Sequence, residues 1–177
     1  MSKKRIVLDT NVLGWALRDK INPSDRAKKL KAEKYLAQLN REDTTIILPT
    51  IVLFELLSVY SDSPQDKTDK INFLDVLSEW CQVTDFDDLA ADTAANMFNA
   101  TNTGTSGYDP AEREKSKRKT DTMILAQASC AEADELITND LGFRKLADAL
   151  TKLNICSVMV KDIPEDAQME LDELIDQ

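Results

Sequence analysis

Four acidic residues in four separate apolar segments carry the chemical content of this sequence. Asp9 ends "RIVLD", Glu55 lies within "TIVLFELLSVY", Asp121 opens "DTMILAQA" and Asp140 closes "LITND". The chain has no histidine. That excludes a Ser-His-Asp triad, a histidine general base and zinc sites built on imidazole. The three cysteines, Cys81, Cys130 and Cys156, are scattered and form no CxxC pair, so a cysteine cluster for zinc is excluded as well. Ionised carboxylates drawn together repel one another unless a cation lies between them. A ligand set made only of carboxylate oxygen suits Mg²⁺ or Mn²⁺. The usual work of such a centre is phosphoryl transfer, in which the ion activates water and a second ion can stabilise the leaving oxygen.

The surrounding pattern says how the four could meet. Short apolar strands are expected at 5–9, 44–48, 81–86, 135–138 and 155–160. Helices are expected from 12, over 23–39, 50–60, about 70–80, 87–100, 120–133 and 142–150. In the second helix, Ala27, Leu30, Leu36 and Leu39 are expected to face a core, and Pro49 suits the first turn of the third. Alternation of strand and helix, with no internal repeat, predicts a three-layer α/β/α sandwich around a mainly parallel five-stranded sheet. In right-handed βαβ units all strand C-termini share one edge, where open α/β sheets bind ligands. Asp9 ends the first strand and Asp140 follows the fourth, both at that edge. Asp121, expected in the first turn of its helix, starts there. Glu55, roughly a turn and a half into its helix, can reach back.

Each residue also has a structural explanation. Asp9 and Asp140 suit turns or helix N-caps, and Asp121 complements a helix dipole. Glu55 resists this treatment, being the lone charge in an apolar helix, where a carboxylate needs a partner or a raised pKa.

Two polar connections, 61–69 and 101–119, are long, and such loops in a compact domain often carry function. The second ends in Arg113, Lys115, Lys117, Arg118 and Lys119, which could hold substrate phosphates beside the ions or form a solvated loop. Net charge is −10, which at first argues against a nucleic-acid substrate. The imbalance is local, because residues 162–177 carry seven acids and no base. A division into a body over 1–161 and an acidic tail over 162–177 follows. Ile163, Ala167, Leu171 and Leu174 give the tail helical spacing, with its acids either solvated or facing the basic loop. An odd, scattered cysteine count suits reduced core thiols and a cytoplasmic location. Lys3, Lys4 and Arg5 precede an apolar run, but Asp9 and Asn11 interrupt it too early for a targeting peptide. No run is long enough to cross a membrane.

The segments "IVLDTNVL", "IVLFELL", "KTDTMILAQA" and "LITNDLGF" resemble, in order, the motifs of the PIN domain. The resemblance spans about residues 5–160. It implies a metal-dependent endoribonuclease, with the family's acidic positions on Asp9, Glu55, Asp121 and Asp140. Its small polar positions fall on Asn11 and Thr138, which would orient ligands or water. Many bacterial members are VapC-like toxins neutralised by an antitoxin protein. RNA is then the expected substrate, an antitoxin the expected partner, and the apolar helix at 50–60 would suit a homodimer interface as well as a core. The long connections and acidic tail depart from the compact toxin pattern. A phosphatase of the haloacid dehalogenase type needs a second acid at position 11, where this chain has Asn11. A non-catalytic PIN fold used to bind nucleic acid or protein is the alternative of a different class.

Overall fold

The structure is a computed structural model. It describes residues 3–18, 21–42, 44–102 and 108–165. Five strands form one sheet in the order β3-β2-β1-β4-β5, every neighbouring pair parallel. They are β1 (Arg5–Leu8), β2 (Thr45–Pro49), β3 (Cys81–Thr84), β4 (Glu135–Ile137) and β5 (Met159–Lys161). The helices among the described residues are α1 (Thr10–Leu17), α2 (Arg26–Arg41), α3 (Thr50–Leu57), α4 (Pro64–Trp80), α5 (Asp88–Asn102), α6 (Lys115–Cys130) and α7 (Leu141–Lys152). One group of helices packs α1 on α2 and α3, and another packs α5 on α6 and α7. The α/β sandwich expected from the alternation is therefore the one adopted. None of these helices is long and apolar enough to cross a membrane.

Strand β1 is the centre of the sheet. Ile6, Val7 and Leu8 are all fully buried, as a strand covered on both faces requires. Val7 pairs with Ile47 on one side and Leu136 on the other. This register brings Asp9 and Thr138, the residues just after β1 and β4, to the same edge. The backbone N–H of Asp9 donates to Ile137 at 3.0 Å and locks the two strand ends together.

Four local expectations give way to the structure. In α2 the buried stripe is Ala32, Tyr35, Leu36 and Leu39, whereas Leu30 is 52% exposed and Ala27 is exposed. The stripe i, i+3, i+4, i+7 starts at 32, and Leu30 lies well off it. Pro49 ends β2 instead of opening α3. Much of the 61–69 connection is helix, because Ser63 caps α4 by accepting from the Asp66 N–H and Pro64 takes the first turn,. In the last strand, Cys156 and Val158 are buried ahead of β5, and ladder pairing begins only at Met159. The acidic tail beyond Glu165 lies outside the described residues.

One buried polar side chain ties the elements that carry Glu55 and Asp121. Gln127 of α6 is fully buried. Its amide N–H₂ donates to the Thr50 hydroxyl and to the Thr84 carbonyl, both at 2.9 Å. Its amide oxygen accepts from the Ile51 N–H at 3.3 Å. Gln127→Leu removes the partner of these half-buried groups and is expected to cost about 2 kcal/mol. Urea unfolding checks this, and a loss near zero would show that the network carries no stability.

Candidate active site

Asp9 caps α1. One carboxylate oxygen accepts from the Thr10 N–H at 2.8 Å, and the other accepts from the Thr138 hydroxyl at 2.7 Å. Thr138 is itself fully buried and accepts from the Asp140 N–H at 3.0 Å. The Thr10 hydroxyl donates to Glu55 in a short hydrogen bond. Asp140 caps α7 by accepting from the Phe143 N–H at 3.0 Å. Asp9 and Asp140 are thus helix N-caps, as their structural reading expects.

Arg113 completes the chain of contacts. Its Nη1 and Nη2 donate to the two oxygens of Asp140 at 2.9 and 3.0 Å, and Nη2 also donates to Asp121 Oδ1 at 3.1 Å. Its Nε stands 2.5 Å from Asp121 Oδ2, but out of line for a hydrogen bond, so that this buried oxygen has no aligned donor. One connected path therefore runs Glu55–Thr10–Asp9–Thr138–Asp140–Arg113–Asp121. The acids form two bridged pairs and not a closed cage: among the described residues, no three candidate ligand side chains stand close enough to share an ion as placed.

The electrostatics follow from burial and crowding. Desolvation raises Asp9 to about 6 against the hydrogen bonds from Thr138 and Thr10, and Glu55 and Asp140 add repulsion,. Desolvation likewise raises Asp121 to about 7, although Arg113 opposes it, with Asp9 and Asp140 repelling. Burial also pushes Asp140 up, but the bonds from Arg113 and the Phe143 N–H outweigh it and hold its carboxyl below the usual value. Burial disfavours the Arg113 charge, and its bonds to Asp140 and Asp121 overcome that.

Asp121 is not in a first turn. Helix α6 begins at Lys115, so much of the expected 101–119 loop is helical and Asp121 lies in the second turn. The same change sorts the basic cluster. Arg118 is only 5% exposed, donates to Asn102 at 2.8 Å and stacks over Phe98 at 5.3 Å. It holds α6 on α5 and does not face a substrate surface. Lys115, Lys117 and Lys119 are exposed. Asn11 is exposed in the first turn of α1, and its neighbour Thr10 makes the bridge to Glu55. The pairing of Arg113 with two acids was missed from sequence. Its side chain acts from the extended residue just after a short 3₁₀ turn, Pro110–Glu112, and no periodicity marks such a reach.

The residue types fit a hard divalent ion. All the donors are carboxylate or hydroxyl oxygen, a buried Asp121 oxygen lacks an aligned donor, and the guanidinium of Arg113 supplies positive charge between two of the acids. The three cysteines are free, and burial pushes the Cys81 thiol up to about 12, which leaves it inert as a nucleophile.

Comparison with known proteins gives the family. Solved structures share the fold, and two of them are DNA-bound VapBC complexes. One is VapBC2 from Rickettsia felis bound to a DNA fragment from their promoter, at 18% identity and a TM-score of 0.62, covering 90% of this chain and 99% of that one. The other is DNA-bound VapBC from Salmonella typhimurium, at 17% identity and a TM-score of 0.58, covering 91% and 99%. No curated protein matches the sequence. The family model described as the PIN domain matches residues 6–149, which contain all four acids, and the chain belongs to the PIN domain family.

Proposed function

We propose that this protein is a divalent-metal-dependent endoribonuclease whose ion is held by Asp9, Glu55, Asp121 and Asp140. PIN domain membership supports a nuclease role, and the family generally uses divalent ions. The observation that supports the reading is the hydrogen-bonded path that links Glu55, Asp9, Asp140 and Asp121, from four elements, through Thr10, Thr138 and Arg113. When bound, Mg²⁺ or Mn²⁺ supplies a polarised water and charge neutralisation at the phosphate. The chain's own residues then do the positioning. Thr138 and the Thr10 N–H fix both oxygens of Asp9, and Thr10 steadies Glu55. Lys115, Lys117 and Lys119 offer exposed charge for neighbouring phosphates. In the reaction a water oxygen bonds to phosphorus, the ester P–O bond breaks, and a proton goes to the leaving oxygen.

The toxin of a toxin–antitoxin pair is the biological role this reading favours, because two of the solved structures that share the fold are VapBC assemblies. An antitoxin protein is then the partner, with a homodimer as the assembly and the cytoplasm as the location. A non-catalytic PIN module is the second reading, favoured by the Arg113 charge already paired with Asp121 and Asp140. Cleavage of single-stranded RNA decides between them. The nuclease cuts with added Mn²⁺, stops on chelation and recovers on re-addition, and Asp9→Asn reduces the rate at least about 100-fold. Cutting that survives chelation, or equal rates in the variant, would sink the proposal.

A further inference from the structure

Arg113 lies where the chemistry calls for a cation. Its fork grips Asp140 from α7 and Asp121 from α6 at the same time. The lone pairs it uses are those a divalent ion would need. A guanidinium and a divalent ion cannot share them, and their like charges repel. The place is also shaped for the arginine. A Cβ built on Gly142 would come within 2.4 Å of Arg113 Nη1, so the missing side chain at 142 is what admits the guanidinium. The backbone allows release. Arg113 has an extended conformation, φ −142° and ψ 138°, between the 3₁₀ turn and the start of α6. Its side chain can swing away without unwinding either element.

We propose that Arg113 is an internal counter-ion that competes with the divalent metal for Asp121 and Asp140, so that metal loading requires the guanidinium to leave its seat against Gly142. This rests on the metal-dependent reading above and adds a regulatory step to it. In the metal-free protein Arg113 relieves repulsion among the acids. It pairs with Asp121 Oδ2 through Nε without an aligned hydrogen bond, so a ligating ion would replace an ion pair of poor geometry there. The apparent affinity for metal is the intrinsic affinity multiplied by the fraction of molecules whose seat is open.

Two variants open the seat by different means. Arg113→Gln removes the charge. Gly142→Ala keeps Arg113 and every carboxylate; its Cβ displaces the flexible end of the arginine and, 3.2 Å from Asp140 Oδ1, asks that carboxylate to give by only a few tenths of an ångström. The experiment is calorimetric titration of Mn²⁺ into the full chain, metal-free, for the wild type and both variants, with circular dichroism to verify folding. Each folded variant is expected to bind Mn²⁺ about tenfold tighter, as when the open seat is roughly a tenth of the population. Should Arg113→Gln fail to fold, Gly142→Ala alone carries the test. Equal affinity in the wild type and Gly142→Ala would overturn the competition while leaving the metal site standing. No Mn²⁺ binding by any of the proteins would overturn the metal-dependent reading together with it.

Discussion

Asp121→Asn is expected to abolish RNA cleavage, by about 100-fold or more, while raising the stability of the metal-free protein. The two effects have one origin. Burial holds the Asp121 carboxyl at about 7, with repulsion from Asp9 and Asp140, so its ionised form at pH 8 works against folding. Asparagine has nearly the same shape and no charge, and its amide oxygen can still accept from Arg113. Arg113 keeps both bonds to Asp140, so the substitution leaves no buried cation alone. The expected gain is on the order of 1–3 kcal/mol, or roughly 2–12 °C in melting temperature for a chain of this size. Thermal melts in chelator at pH 8 check it. A large loss of stability would mean that the Asp121–Arg113 pair outweighs desolvation.

Lowering the pH from 8 to 5 should stabilise the metal-free protein, against the usual course of acid denaturation. Asp9 and Asp121 have folded-state values of about 6 and about 7 against an ordinary 3.8. Between these values the folded state binds more protons than the unfolded one. Stability therefore falls as pH rises through that window, and the penalty is complete above pH 7. Asp140 is held low chiefly by Arg113, and Glu135 by Lys161 and Lys4, each against the upward push of burial. Their contributions have the opposite sign and are lost only as pH falls below the ordinary carboxylate range. A stability maximum near pH 5 follows, higher than the pH 8 value by about 3 kcal/mol. Urea unfolding at a series of pH values in chelator measures it. The Asp9→Asn, Asp121→Asn double variant should flatten the profile, and an unchanged slope in that variant would locate the dependence elsewhere. Added Mn²⁺ should oppose the trend, since ligation needs ionised carboxylates.

The strand and helix alternation was legible because β1, β2 and β4 are near-continuous apolar runs between polar breaks. Asp9 and Asp140 could be placed for the same reason, since a strand tip in a parallel sheet has one address. Thr138 was named through its motif, and its hydroxyl does bond to Asp9. The start of α6 was not legible. "EKSKRK" is too polar to show a stripe, yet Arg118 in that run is buried by its bond to Asn102 and its stacking on Phe98. Propensity let the run be helical, and tertiary contact made it so. The Arg113 bridge was hidden for a different reason. It joins residues 8 and 27 positions apart, and its seat depends on the absence of a side chain at Gly142. The relation is between three elements, and no local spacing encodes it.

Anomalous X-ray scattering from crystals of the full chain grown with Mn²⁺ tests the central claim most directly. The account predicts a manganese peak bonded to carboxylate oxygens of Asp9 and Asp121, with the Arg113 guanidinium turned away from Asp140. No peak at the four acids under saturating Mn²⁺, with Arg113 still seated between Asp121 and Asp140, would contradict it.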